Sequence, residues 1–189
     1  MSTKDFMDAE SLVEPRGAFI TLHPYELTLA KLVAQRRTKA NEGVANAYVD
    51  IDGKDPLYDL YGAVCEQAVA KAFNEYWNAG CWDRPDHLVN KDEIPDVGVD
   101  VEVRSVDNPW YKLIIRPNDV RHNRLMVLTY LVTPVTFDTY EPVTVDVIGF
   151  GRAKRLQAHG YPFMGKGMIS VEQKHLVKYK KGMNVRSFA

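Results

Sequence analysis

Between residues 94 and 105 the chain reads IPDVGVDVEVRS, which crowds Asp96, Asp100, Glu102 and Arg104 into one short segment. Carboxylates this close are ready oxygen ligands for a hard divalent cation such as Mg²⁺ or Mn²⁺. Such an ion takes one or two protein carboxylates and completes its shell with water and substrate phosphate. An ion held there can activate water and stabilise charge during phosphodiester hydrolysis. Arg104, two residues beyond Glu102, has the charge to hold a phosphate beside it. Either Asp96 or Asp100 can join Glu102 in such a set. The competing account is a solvated charged face with an acid–arginine ladder.

Strand geometry must position these groups. Successive side chains on a strand alternate, so Val99, Val101 and Val103 are expected on a core face and Asp100, Glu102 and Arg104 on the other. DNPW then reads as a turn and YKLIIRP as the returning strand of a hairpin, which would carry Lys112 across toward Arg104. Two further strands are expected at RLMVLTYLV and PVTVDVIGF, a short helix at GRAKRLQAHG, and an edge strand or extension in ISVEQKHLVKY. Short connections in this run favour antiparallel neighbours.

Two helices precede the strands. The first starts at LHPYEL, with His23 at the N-cap, Pro24 at the first helical position and Glu26 in the first turn, and stops near Gly43. The second starts near Asp55-Pro56 and runs to Gly80. Its stripe of Ala63, Val69, Ala70, Phe73 and Trp77 faces a core and includes Glu66, a carboxylate among apolar neighbours that needs a hydrogen bond, a cation or a metal. Helices packed on strands give a mixed α/β or α+β domain.

With 189 residues, 46% hydrophobic and 26% charged, the chain has the composition of one soluble globular domain. Residues 1–16 are expected to form a loose acidic arm and residues 17–189 a single domain. No apolar run reaches the length of a membrane span and the acidic start lacks a signal-peptide centre, so a cytoplasmic location is expected. Cys65 and Cys81 form no metal-ligand pattern and read as buried or idle thiols. Charge is uneven: residues 1–90 hold nine Lys/Arg against fourteen Asp/Glu, and residues 91–189 fifteen against eleven. From Phe150 onward nine basic residues face one acid, Glu172, so Lys178, Lys180 and Lys181 are candidate contacts to a polyanion. Trp77, Trp82, Trp110 and Tyr111 are aromatic candidates for base stacking, Trp110 foremost. His122, between Arg121 and Arg124, is a further candidate at a phosphate.

PD followed by EVR on a strand, after a helix carrying the glutamate of GAVCEQAVAKAF, resembles the PD-(D/E)XK nuclease superfamily. The layout from LHPYELTLAKLVAQRR through DVGVDVEVRS and KLIIRPNDV to VIGFGRAKRL also resembles small bacteriophage proteins regarded as its members. The resemblance implies a restriction-endonuclease-like αβββαβ core with a central mixed sheet flanked by helices. It implies Glu66, Asp96 and Glu102 around Mg²⁺ or Mn²⁺, Arg104 at the position of the usual lysine, and hydrolysis of DNA. Arginine stays charged where a lysine can shed a proton, so Lys112 is the candidate for a missing ammonium. Two functions follow: a metal-dependent deoxyribonuclease, or a catalytically lapsed module of that fold that binds nucleic acid or a protein partner.

Overall fold

The computed structural model describes residues 16–41, 57–81, 93–164 and 167–188. The arm before Arg16, the stop near Gly43, the helix start at Asp55-Pro56, Trp82 and Lys166 lie outside the described residues.

The chain enters through a strand that the sequence reading did not anticipate, β1 (Ala18–Leu22), followed by helix α1 (Pro24–Asn41). The α1 start is as expected: Glu26 accepts the backbone N–H of His23 at 2.8 Å, closing the first turn. Helix α2 (Leu57–Phe73) ends earlier than its apolar stripe suggested. Asn74 takes a left-handed φ of 54° there, a helix-terminating conformation that asparagine tolerates. Trp77 therefore lies beyond the helix, in a bridge to Val97.

Strand β2 covers Val101–Val106, not the whole of 94–105. Gly98, at φ 58°, reverses the chain so that Val97 pairs with Val101. Val99 and Asp100 belong to that turn, and Val99 is 69% exposed rather than in the core. Next come β3 (Leu113–Ile115), a short helix α3 (Pro117–Arg121), β4 (Leu125–Leu131), β5 (Val143–Arg152) and α4 (Ala153–Gln157). The chain closes with β6 (Tyr161–Pro162), β7 (Ile169–Val171) and β8 (Val177–Lys178).

The main sheet has the order β1-β5-β4-β2, with β8 also pairing β5. It is mixed, because β2 runs parallel to β4 while β4/β5 and β1/β5 are antiparallel. The expected β2/β3 hairpin does not form. Instead, β3 joins β7 and β6 in a small antiparallel sheet. The reason lies in β4, whose apolar run is buried on both faces and takes the position beside β2. Leu125 and Val127 pack with Val101, Val103 and α2 in the larger core, whereas Met126 and Leu128 pack with Leu113, Ile115 and Val171 in the smaller one. The architecture is thus mixed α+β: α1 and α2 on one face of the mixed sheet, the small sheet on the other. Among the described residues no helix is long and apolar enough to cross a membrane.

Candidate active site

Asp96 stands at the N-terminal edge of β2, placed by the Gly98 turn. Its backbone N–H donates to Val101 O at 3.0 Å, and its Oδ2 accepts the Val103 N–H at 2.8 Å. The side chain is thus pinned along the edge strand. Burial, together with the charges of Glu102 and Glu66, pushes its carboxyl well above the usual range.

Glu102 and Arg104 share the face of β2 that also carries Met126 and Leu128 of β4, as the parallel register Glu102↔Met126 and Arg104↔Leu128 requires. Arg104 Nη1 donates to Glu102 Oε1 at 2.7 Å and Nη2 to Asp119 Oδ2 at 2.8 Å. Asp119, 4% exposed, comes from α3, where its Oδ2 also accepts the Arg116 N–H at 2.7 Å. Burial raises the Glu102 carboxyl; Arg104 opposes this by charge and hydrogen bond, Asp119 adds repulsion, and buried Arg124 adds attraction. The guanidinium of Arg104, held among Glu102, Asp119 and Asp96, has its proton affinity raised despite burial. Its Nε is buried without a partner. Arg104 is thus turned onto two carboxylates, and a phosphate would have to compete with them.

Glu66 is elsewhere. It lies on α2, which packs against Val101 and Val103, so it sits on the opposite face of β2 from Glu102. Arg37 Nη1 and Nη2 donate to Glu66 Oε1 and Oε2, both at 2.7 Å, and Trp77 Nε1 donates to Oε2 at 3.0 Å. The expectation that Glu66 converges with Glu102 and Arg104 is corrected: the helix that carries it covers the apolar face of the strand. Both its oxygens are engaged by this pairing. Sequence reasoning missed Arg37 and Asp119, and named Arg124 only as a neighbour of His122. A signal existed for Arg37, which continues the buried α1 stripe of Ala30, Val33 and Ala34 at helical spacing.

Asp100 is also engaged, by Arg152 on one oxygen and Arg186 on the other. These two arginines outweigh its burial and hold its carboxyl below the usual range. Asp96, and not Asp100, is therefore the aspartate with a free oxygen. Among the described residues, neither Asp96 Oδ1 nor Glu102 Oε2 has a hydrogen-bond partner. Both residues keep some exposure to solvent.

Lys112 immediately precedes β3 of the small sheet, 3.8 Å from Glu172, and the missing hairpin leaves it without the expected register opposite Arg104. Lys178, Lys180 and Lys181 are exposed near the C-terminus. Arg152 and Arg186 of the basic run are consumed by Asp100, and Lys174 pairs with Glu172 at 2.6 Å. His122 lies 2.9 Å from Glu93. His23 stacks on Tyr25. Cys65 is a buried thiol pushed up to about 12 by burial, which keeps it inert.

No three His, Cys, Asp or Glu side chains among the described residues are grouped to hold a metal alone. The donors present suit a hard cation that keeps most of its water: two carboxylates, Asp96 and Glu102, each with an unpaired oxygen and each raised in proton affinity. No protein-family model, curated protein or solved structure matches this chain.

Proposed function

We propose that the chain is a metal-dependent nuclease of the PD-(D/E)XK type that hydrolyses phosphodiester bonds in DNA, with Mg²⁺ or Mn²⁺ held by Asp96 and Glu102. One observation carries this reading: two neighbouring, repelling carboxylates with unpaired oxygens at the edge of β2. Arg104 answers this cluster on one oxygen of Glu102 only, and like charges kept together in a partly desolvated place favour a further cation. The order α2, β2, β4, β5, α4, β8 in the main sheet and its flanking helices supports a restriction-endonuclease-like αβββαβ core. The parallel β2/β4 pair is a departure from the antiparallel arrangement expected of short connections.

Bound there, a divalent ion would supply an activated water and charge stabilisation for phosphodiester cleavage. Val103 orients Asp96 through its backbone N–H. Arg104 is a positioning residue: it fixes Glu102 by one oxygen, leaves the other free, and is itself aimed by Asp119. Glu66 is a structural partner of Arg37 in this reading and not a ligand.

The second reading, a lapsed module that binds nucleic acid or a protein, is favoured by the internal ion pairs of Glu66 and Arg104 and by the distance of Lys112 from them in the fold. Thermal melting with and without Mn²⁺ separates the two. The nuclease reading expects a raised Tm that Asp96→Asn and Glu102→Gln both abolish, with cleavage of DNA lost in the same variants. A wild type indifferent to Mn²⁺ that cuts no nucleic acid under any divalent condition leaves the lapsed module.

A further inference from the structure

The small sheet presents a second surface. Leu113, Ile115 and Val171 face the smaller core, so the alternate row, Ile114, Ser170 and Tyr161 side by side across β3, β7 and β6, lies on the other face, where Tyr161 is exposed, Ile114 half-buried and Ser170 buried. Tyr161 is 54% exposed and Trp110, three residues before β3, is 74% exposed. Both rings are held by cations. The Arg16 guanidinium lies 3.2 Å over the Trp110 ring, and Lys112 Nζ lies 5.7 Å over that of Tyr161.

Trp110 is fixed in place despite its exposure. Gln173 donates from Nε2 to Pro109 O at 2.7 Å and Tyr111 O at 2.8 Å, clamping the turn on both sides of Trp110. The Oε1 of the same amide accepts Arg16 Nη1 at 3.0 Å. A large aromatic that folding leaves in water, on a turn held by a glutamine and under a guanidinium, is organised for something outside the protein. Charge indicates what. Arg16, Lys112 and Lys174 lie around these rings, Glu172 is the acid between the two lysines and exposed Asp107 opens the turn of Trp110, which leaves an excess of one positive charge before Arg116 is added. Exposed Arg116 continues the outward row of Lys112 and Ile114, about 13 Å further along at strand rise, to Asp119 and hence Arg104.

We infer that this face binds single-stranded nucleic acid: bases stack on Trp110 and Tyr161, and phosphates meet Lys112, Lys174 and Arg116. Aromatics interleaved with cations recognise unpaired bases, whose faces a duplex keeps for itself. The surface stands on its own observations. Only the further step, that the strand runs along β3 toward Asp96 and Glu102, rests on the nuclease reading.

The test uses the full chain in EDTA, with a fluorescent oligothymidylate, an oligouridylate and a DNA duplex of matched length, each longer than a site of about 4–16 nucleotides. Single strands should bind tighter than duplex. Tyr161→Ala and Trp110→Ala should each weaken single-strand binding by about 5- to 150-fold, the equivalent of ~1–3 kcal/mol per stacked base, and Tyr161→Phe and Trp110→Phe should restore most of it. Preference between the thymidylate and uridylate arms assigns DNA or RNA. Equal affinity for duplex, or alanine variants that bind single strands like the wild type, overturns the inference. Cleavage is scored separately in Mg²⁺. Single-strand binding through Tyr161 and Trp110 without any cutting retires the nuclease reading and keeps the surface. Cutting of DNA alongside unaltered binding by the alanine variants retires the surface and keeps the nuclease.

Discussion

Glu66 and Arg37 face each other in a two-pronged ion pair, both contacts at 2.7 Å, with side-chain exposures of 9% and 4%. The pair joins α1 to α2, and Trp77 closes it from the segment after α2. Breaking such a pair leaves one charge buried alone. Arg37→Ala should therefore cost about 3–5 kcal/mol in a urea unfolding curve, whereas Arg37→Met with Glu66→Leu should recover most of that loss. Equal destabilisation by single and double variants would show that the site matters by shape and not by charge.

Glu66 has both oxygens on Arg37 and acts on Asp96 only through its charge, so the metal response should not require it as a ligand. Glu66→Gln should lower the melting temperature yet keep a Mn²⁺-induced rise, while Glu102→Gln should lose that rise. A response abolished by Glu66→Gln would return Glu66 to the ligand set and overturn the two-carboxylate site.

What the sequence disclosed, and what it hid, follows from the range over which each signal acts. The start of α1 was legible from His23, Pro24 and Glu26 because capping is local. The strand character of Val101 to Arg104, with Glu102 and Arg104 on one face, was legible from alternation. The partner of β2 was not: choosing β4 over β3 depends on burying Met126 and Leu128 against the small sheet, a contact between distant segments. The same limit hid the pairing of Glu66. Helical spacing said that its carboxylate was surrounded by apolar side chains, yet the cation that answers it comes from α1, 29 residues away. Gly98 could have warned that the valine alternation breaks before Val101, since a glycine within a strand pattern signals a turn or bulge.

Asp96 supplies a pH signature. Its folded carboxyl stands above its unfolded one, so the folded state holds more protons in the interval between them. Stability falls as pH rises through that interval, and the penalty remains above it. Asp96→Asn keeps an oxygen for the Val103 N–H and removes the charge. It should raise Tm at neutral pH, each ~1 kcal/mol appearing as about 2–4 °C in a chain of this size, and the gain should vanish near the ordinary carboxylate range. A constant offset at all pH values would trace the gain to packing alone.

Metal binding must expel whatever protons Asp96 and Glu102 hold. Mn²⁺ affinity, followed by calorimetry, should strengthen as pH rises through the range, above that of ordinary carboxylates, in which these raised carboxyls give up their protons, and should do so with proton release. Affinity flat across this range would mean that the ion binds elsewhere.

Arg104 decides between the two functional readings. Its guanidinium spans Glu102 and Asp119 with one fork, which a lysine ammonium cannot reproduce at both ends. Arg104→Lys should therefore lower stability, by up to about 1–3 kcal/mol if Asp119 is left short of a donor. It should also loosen Glu102 and introduce an ammonium able to give up a proton beside the two carboxylates. In a nuclease that merely carries arginine at the lysine position, cleavage of DNA in Mg²⁺ persists or rises in this variant, and Glu102→Gln added to it abolishes cleavage. In a lapsed module neither form cuts, while nucleic-acid binding stays at the wild-type level. The readout is a gel of cut and uncut DNA beside a binding curve in EDTA. Cutting by the wild type that disappears in a well-folded Arg104→Lys protein would rule out the lapsed module and show that the fork holding Glu102 is needed for cleavage.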